Sequence, residues 1–261
     1  MDDLRIGVIN DIHLNYGKQD VEDELLPPLR DAAKRFNRAD VDIVAALGDF
    51  VQHEDGAADR EHLGMAASVF DGVDADVYAV PGNHDVVNLR PGTVIDELGV
   101  ANDEPYASVD VRGRRLVFLD TTHRSVDFHN VAGTVGEKQR AWLDEQLAAS
   151  RDTFLFAHHP LHYRDLSGTA LFPDIPELAI ANDKEHVREI IEDAGTVQAV
   201  VNAHIHVYSR VAQDGVPHLT PPAFNRAIAE EMPVTGTTTV LTVTEDGMTV
   251  DTGDGTDEFT F

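Results

Sequence analysis

Asp76-Val77-Tyr78-Ala79-Val80-Pro81-Gly82-Asn83-His84-Asp85 is the stretch on which the fold turns. A short apolar run of buried-strand character breaks at a proline and a glycine, and three polar side chains follow at its tip. With 13 His and 31 Asp in 261 residues, Gly-Asn-His-Asp is expected by chance on the order of a few thousandths of one copy. Its arrival at a strand end is therefore informative.

Working outward, four more polar signals stand where apolar runs stop. Asp11-Ile12-His13 follows the run 4–10, Gly48-Asp49 ends 41–47, His158-His159-Pro160 follows 153–157, and His204-Ile205-His206 follows 197–202. Singly they say little, since Asp-x-His recurs at Asp127-Phe128-His129 away from any strand end. Between the runs, Leu25, Leu26, Leu29, Ala32, Ala33 and Phe36 recur at helical spacing, with Pro27 and Pro28 where a first turn tolerates them. An Ala-rich helical segment is expected near 58–71. Strands alternating with helices imply an α/β fold with a largely parallel sheet, and loops beyond the strands' carboxyl ends then meet at one edge. Distance along the chain is no obstacle to their convergence.

The second half reads as a hairpin over 106–110 and 115–120, an amphipathic helix over 137–149 carrying Trp142, Leu143 and Leu147, and a further helix over 184–194. Short β runs follow at 207–212, 216–220, 238–244 and 248–252, with Asp214-Gly215 and Asp246-Gly247 as turns. With no internal repeat and no separating linker, one domain over 1–261 is expected. The long stretch 162–183 has the character of a lid over a site.

Acidic residues outnumber Lys plus Arg 47 to 20, for a net charge of -27, which disfavours binders of nucleic acid or anionic membranes, since these need a basic patch. Only 4 of the 20 basic residues are Lys, and a carboxylate-coated, lysine-poor folded protein points to adaptation to high salt. The absence of cysteine excludes disulfides, thiolate nucleophiles and sulfur-ligated metals, so any transition metal must sit on His, Asp, Glu or Asn. No basic leader precedes Leu4 and no apolar run is long enough to span a bilayer, so the cytoplasm is the default compartment. Oligomeric state, including a homodimer, stays open.

The ordered set D-x-H, G-D, G-N-H-D, H and H-x-H resembles the calcineurin-like metallophosphoesterase superfamily over residues 11–206. The resemblance implies a four-layer α/β/β/α sandwich of two mixed sheets. It implies two divalent ions (Mn, Fe or Zn), one on Asp11, His13, Asp49 and His206, the other on Asp49, Asn83, His158 and His204. It further implies hydrolysis of a small phosphorylated substrate, with a metal-held hydroxide attacking phosphorus, His84 as general acid and Asp85 orienting its ring. A phosphodiesterase acting on a small nucleotide or a glycerophosphodiester is the reading preferred. A phosphomonoesterase or nucleotide pyrophosphatase, or a non-catalytic interaction module on the same fold, are the alternatives. His123, Arg124, His159 and His162 are candidate substrate contacts. One departure from the family pattern is Ala203, where Gly is usual before H-x-H; a methyl there is expected to restrict the turn.

Overall fold

The alternation of side chains along the first strand sets the layering. β1 (Leu4–Ile9) sends Leu4, Ile6 and Val8 into one core and Ile9 into another, as the two-residue period of a strand requires. The computed structural model describes residues 2–16, 20–122, 133–148, 152–169, 172–225 and 236–261.

A helical turn at Val21–Leu25 leads into α1 (Leu26–Ala39), which has proline in its first turn and an amphipathic face of Leu29, Ala32, Ala33 and Phe36. Then come β2 (Ile43–Ala46), α2 (Gly56–Phe70), β3 (Asp76–Ala79) and α3 (Pro91–Leu98). The hairpin β4 (Ala107–Val111) and β5 (Arg114–Leu119) precedes α4 (Glu137–Leu147), β6 (Thr153–Ala157), the single turn α5 (Pro176–Ala179), α6 (Lys184–Ala194) and β7 (Val197–Asn202). The chain closes with β8 (Ser209–Gln213), β9 (Val216–Thr220), β10 (Thr239–Val243), β11 (Gly247–Asp251) and β12 (Thr256–Thr260).

Two six-stranded mixed sheets result, ordered β12-β11-β10-β1-β2-β3 and β4-β5-β6-β7-β9-β8. Their inner faces pack Ile6, Val8 and Ala45 against Phe118, Phe156 and Val201. Leu29 and Phe36 of α1, Leu63 of α2 and Val94 of α3 cover the outer face of the first sheet; Leu143 of α4 and Ile191 of α6 cover the second. This is the four-layer α/β/β/α arrangement. The parallel runs β1-β2-β3 and β5-β6-β7-β9 point their carboxyl ends at the loops that carry the polar signals.

Three elements escape the sequence pattern, the single turn α5 within the stretch read as a loop among them. α3 is a short helix opening on Pro91-Gly92, and β12 is an edge strand with no apolar alternation, Thr-Asp-Glu-Phe-Thr. Among the described residues, no helix is long and apolar enough to cross a membrane.

Candidate functional site

Five strand ends deliver the polar residues to one place. After β1, Asp11 and His13 are buried; after β2, Asp49; after β3, Asn83; after β6, His158; after β7, His204, with His206 beside it. The Asp49 carboxylate joins the two halves. Its Oδ2 lies 3.5 Å from His13 Nε2 and 3.4 Å from His158 Nε2, while Oδ1 accepts from the His84 backbone N–H at 2.9 Å. On one side, His206 Nε2 stands 3.4 Å from Asp11 Oδ1 and 3.3 Å from His13 Nε2. On the other, His158 Nε2 stands 3.1 Å from Asn83 Oδ1.

The backbone is bent to make this possible. Asp11, His13, Asp49, His204 and His206 all adopt left-handed φ, between 47° and 69°. Such conformations cost on the order of 1 kcal/mol or more each and persist where the surrounding structure over-determines them. Gly82 permits the closest approach. A Cβ there would lie 2.2 Å from both Asp49 N and Asp49 Oδ1, so the loops after β2 and β3 can meet only through a glycine.

Hydrogen bonds to the remaining ring atoms fix which nitrogens face inward. His158 Nδ1 donates to the Leu47 carbonyl at 2.7 Å, leaving Nε2 to face Asp49. His204 Nε2 donates to the Leu178 carbonyl at 3.0 Å, leaving Nδ1 for the cluster. Asn10 Nδ2 donates to Asp11 Oδ2 at 2.7 Å and orients that carboxylate. Burial pushes His13 and His204 down to about 3, so both rings are neutral at neutral pH, the state in which imidazole binds a cation. Burial alone would raise Asp11 and Asp49, but facing imidazoles, His206 for Asp11 and His158 for Asp49, outweigh it and hold both low, Asp11 at about 2. Burial opposes protonation of His158, yet the Asp49 carboxylate prevails and raises it to about 9. Two buried carboxylates thus attract positive charge into a cluster of inward-facing nitrogens. That donor set of imidazole, carboxylate and amide oxygen fits divalent transition metals.

A family model described as calcineurin-like phosphoesterase matches residues 4–208. The chain belongs to that family. It is 27% identical over 159 residues to a "Probable cyclic nucleotide phosphodiesterase" of Fibrobacter succinogenes, covering 60% of this chain and 57% of that protein. It is also 27% identical over 224 residues to a "cAMP/cGMP dual specificity phosphodiesterase" of Mycobacterium tuberculosis, covering 80% of this chain and 64% of that one. The chain thus spans less than two thirds of the length of either relative. Among solved structures, a dimetal phosphatase from Danio rerio shares the fold, with TM-score 0.78, 20% identity and 99% coverage of both chains.

Around the phosphoesterase cluster the expected supporting roles are redistributed. Asp85 does not orient His84. Its Oδ1 accepts from the Phe50 and Val51 N–H groups at 2.8 and 3.1 Å, and its Oδ2 from the Gly82 N–H at 2.8 Å, so it ties together the loops after β2 and β3. Burial and the neighbouring Asp49 carboxylate push it up to about 8. The partner of the His84 ring is instead His53, Nδ1 to Nδ1 at 2.9 Å. Nothing in the local sequence marks His53, an exposed residue with left-handed φ.

His159 is buried, packed on His204 with ring centroids 4.4 Å apart and with Nδ1 at 2.8 Å from the Thr121 hydroxyl. It packs against a cluster residue, and a nitrogen of its ring lies within 4.8 Å of those of His158 and His204. His162 is likewise buried, with its ring centroid 4.4 Å from that of His218. His123 and Arg124 lie outside the described residues. Ala203 restricts nothing: its φ is not positive, its N–H donates to the His158 carbonyl at 2.8 Å, and its methyl packs in the core between the sheets.

Proposed function

We propose that the chain is a dimetal-dependent hydrolase of phosphate esters, in the first place a phosphodiesterase acting on a small nucleotide or glycerophosphodiester-like substrate. The observation that carries the reading is the Asp49 carboxylate set between His13 and His158, with Asp11 and His206 on one side and Asn83 and His204 on the other. Asp11, His13, Asp49 and His206 would hold one cation; Asp49, Asn83, His158 and His204 would hold the second. When bound, such a pair supplies Lewis-acid charge to phosphoryl oxygens and acidifies coordinated water.

The chain's own groups do the rest. His84 stands 5.0 Å from His13, ring centroid to ring centroid, at the edge of the cluster. Its backbone is pinned by Asp49 and its Nδ1 by His53, which leaves Nε2 to carry a proton to the departing alkoxide. The names of the two relatives support the diester preference.

The test uses the full chain, stripped with chelator and reloaded with Mn, Co or Zn in molar KCl. Turnover of bis(p-nitrophenyl) phosphate is compared with that of p-nitrophenyl phosphate. The proposal expects metal-dependent hydrolysis with the diester preferred. Preference for the monoester would move the reading to a phosphomonoesterase. Metal uptake without turnover of any phosphoester would make the chain a non-catalytic interaction module.

A further inference from the structure

Beside the cluster opens a groove of about 400 Å³. It is lined by His206 and the segment running on from it through Tyr208, by Pro222 after β9, and by the end of β11 with the turn into β12, from Val250 to Asp257. A phosphoester held at Asp11, His13 and His206 therefore has this space within reach of its organic substituent. The volume falls in the range of small-molecule sites, roughly 300–1,000 Å³.

Its chemistry narrows the occupant. Val207, Pro222 and Val250 give an apolar lining, and the ring of Tyr208 stands 37% exposed as one wall. That ring is fixed, because its hydroxyl donates to Asp257 Oδ2 at 2.7 Å. None of the described lining residues is Lys or Arg, while Asp254 and Asp257 contribute carboxylates. The nearby Arg210 is engaged with Asp257 Oδ1 at 3.4 Å and with the Glu258 carbonyl at 3.0 Å, and Arg35 with Thr238 and Asp251. An aromatic wall beside an apolar lining suits a flat organic group, and the described lining residues offer a second phosphate no cation but two carboxylates.

We infer that this groove binds the uncharged organic substituent of the phosphoester, of nucleoside size, and that it selects against substrates carrying further negative charge there. The inference rests on the phosphoesterase reading proposed above and names the substrate class of that site.

The experiment measures binding by calorimetry and competitive inhibition on the manganese-loaded full chain, with inorganic phosphate, adenosine 5′-monophosphate and adenosine 5′-diphosphate as probes. The monophosphate is expected to bind about ten-fold tighter than phosphate, and the diphosphate no tighter than the monophosphate. Two variants test the groove. Gly255→Trp places a ring where an added Cβ meets nothing within 4 Å, and Tyr208→Ala removes the aromatic wall. Each should weaken the monophosphate about ten-fold and leave phosphate within two-fold. Equal affinity for phosphate and monophosphate in the parent chain, a tighter diphosphate, or variants that keep the parent's ratio would overturn the groove assignment while leaving the hydrolase reading intact. Failure of the parent to bind manganese or phosphate at all would overturn both.

Discussion

Replacing His162 with phenylalanine should flatten the acid limb of the stability curve. His162, in the segment that follows β6, faces His218 at 4.4 Å, and neither of its ring nitrogens finds a hydrogen-bond partner among the described residues. Burial pushes the two rings down to about 3 and about 4 respectively. In the unfolded chain each titrates near 6.5. Below that pH the unfolded chain takes up protons that the folded chain refuses, so stability present above pH 6.5 is lost as the pH falls towards 4. Each group removes about 1.4 kcal/mol per pH unit, and the pair removes about 5 kcal/mol by pH 4.5. That is a large share of the roughly 5–15 kcal/mol by which domains are stable. Urea unfolding of parent and His162→Phe between pH 8 and 4.5, in 2 M KCl, reads the difference directly. The variant should equal or exceed the parent at pH 8, where an unpartnered imidazole gives way to a ring of the same shape, and should lose about 1.4 kcal/mol less per pH unit below pH 6. Parallel curves, or a His162 resonance titrating near 6.5 in the folded protein, would refute the reasoning.

Three further outcomes follow from the same geometry. His84→Asn should lower kcat by about 10²-fold or more with metal content unchanged, whereas His53→Ala should lower it about ten-fold at constant KM and shift the basic limb of the pH–rate profile, as loss of a ring-orienting partner would. Gly82→Ala should abolish high-affinity metal uptake, measured by equilibrium dialysis, because the new methyl would stand 2.2 Å from Asp49 N and Oδ1. With a net charge of -27, the melting temperature of the metal-free chain should climb by several degrees between about 0.1 and 2 M KCl, as the screening length falls from about 10 Å to below about 3 Å; a flat melting temperature would count against salt adaptation.

The cluster was legible from sequence because its residues occupy strand ends. A parallel sheet gathers the carboxyl ends of its strands at one edge, which groups Asp11, Asp49 and Asn83 on the first sheet and His158 and His204 on the second; that the two groups meet was given by the resemblance of the ordered motifs, not by sheet topology. Supporting residues follow no such rule. His53 reaches His84 only because the loop after β2 takes a left-handed turn, and Asp85 binds three backbone N–H groups that belong to the fold and not to a motif. His162 read as a candidate substrate contact because exposure in a loop is the default; its burial against His218 depends on which face of β9 the segment covers. The groove was invisible for a related reason. One of its walls leads into β12, a strand whose polar sequence carries no alternation and which pairs only at the sheet edge, with β11.

The central claim is that Asp49 serves two cations at once. Equilibrium dialysis of the chelator-stripped chain against manganese, read by elemental analysis, tests it most directly in a comparison of parent with Asp49→Asn. Two ions per parent chain, with both sites weakened together in the variant, is the predicted result. A parent that takes up fewer than two ions, or a variant that keeps both at parental affinity, would contradict it.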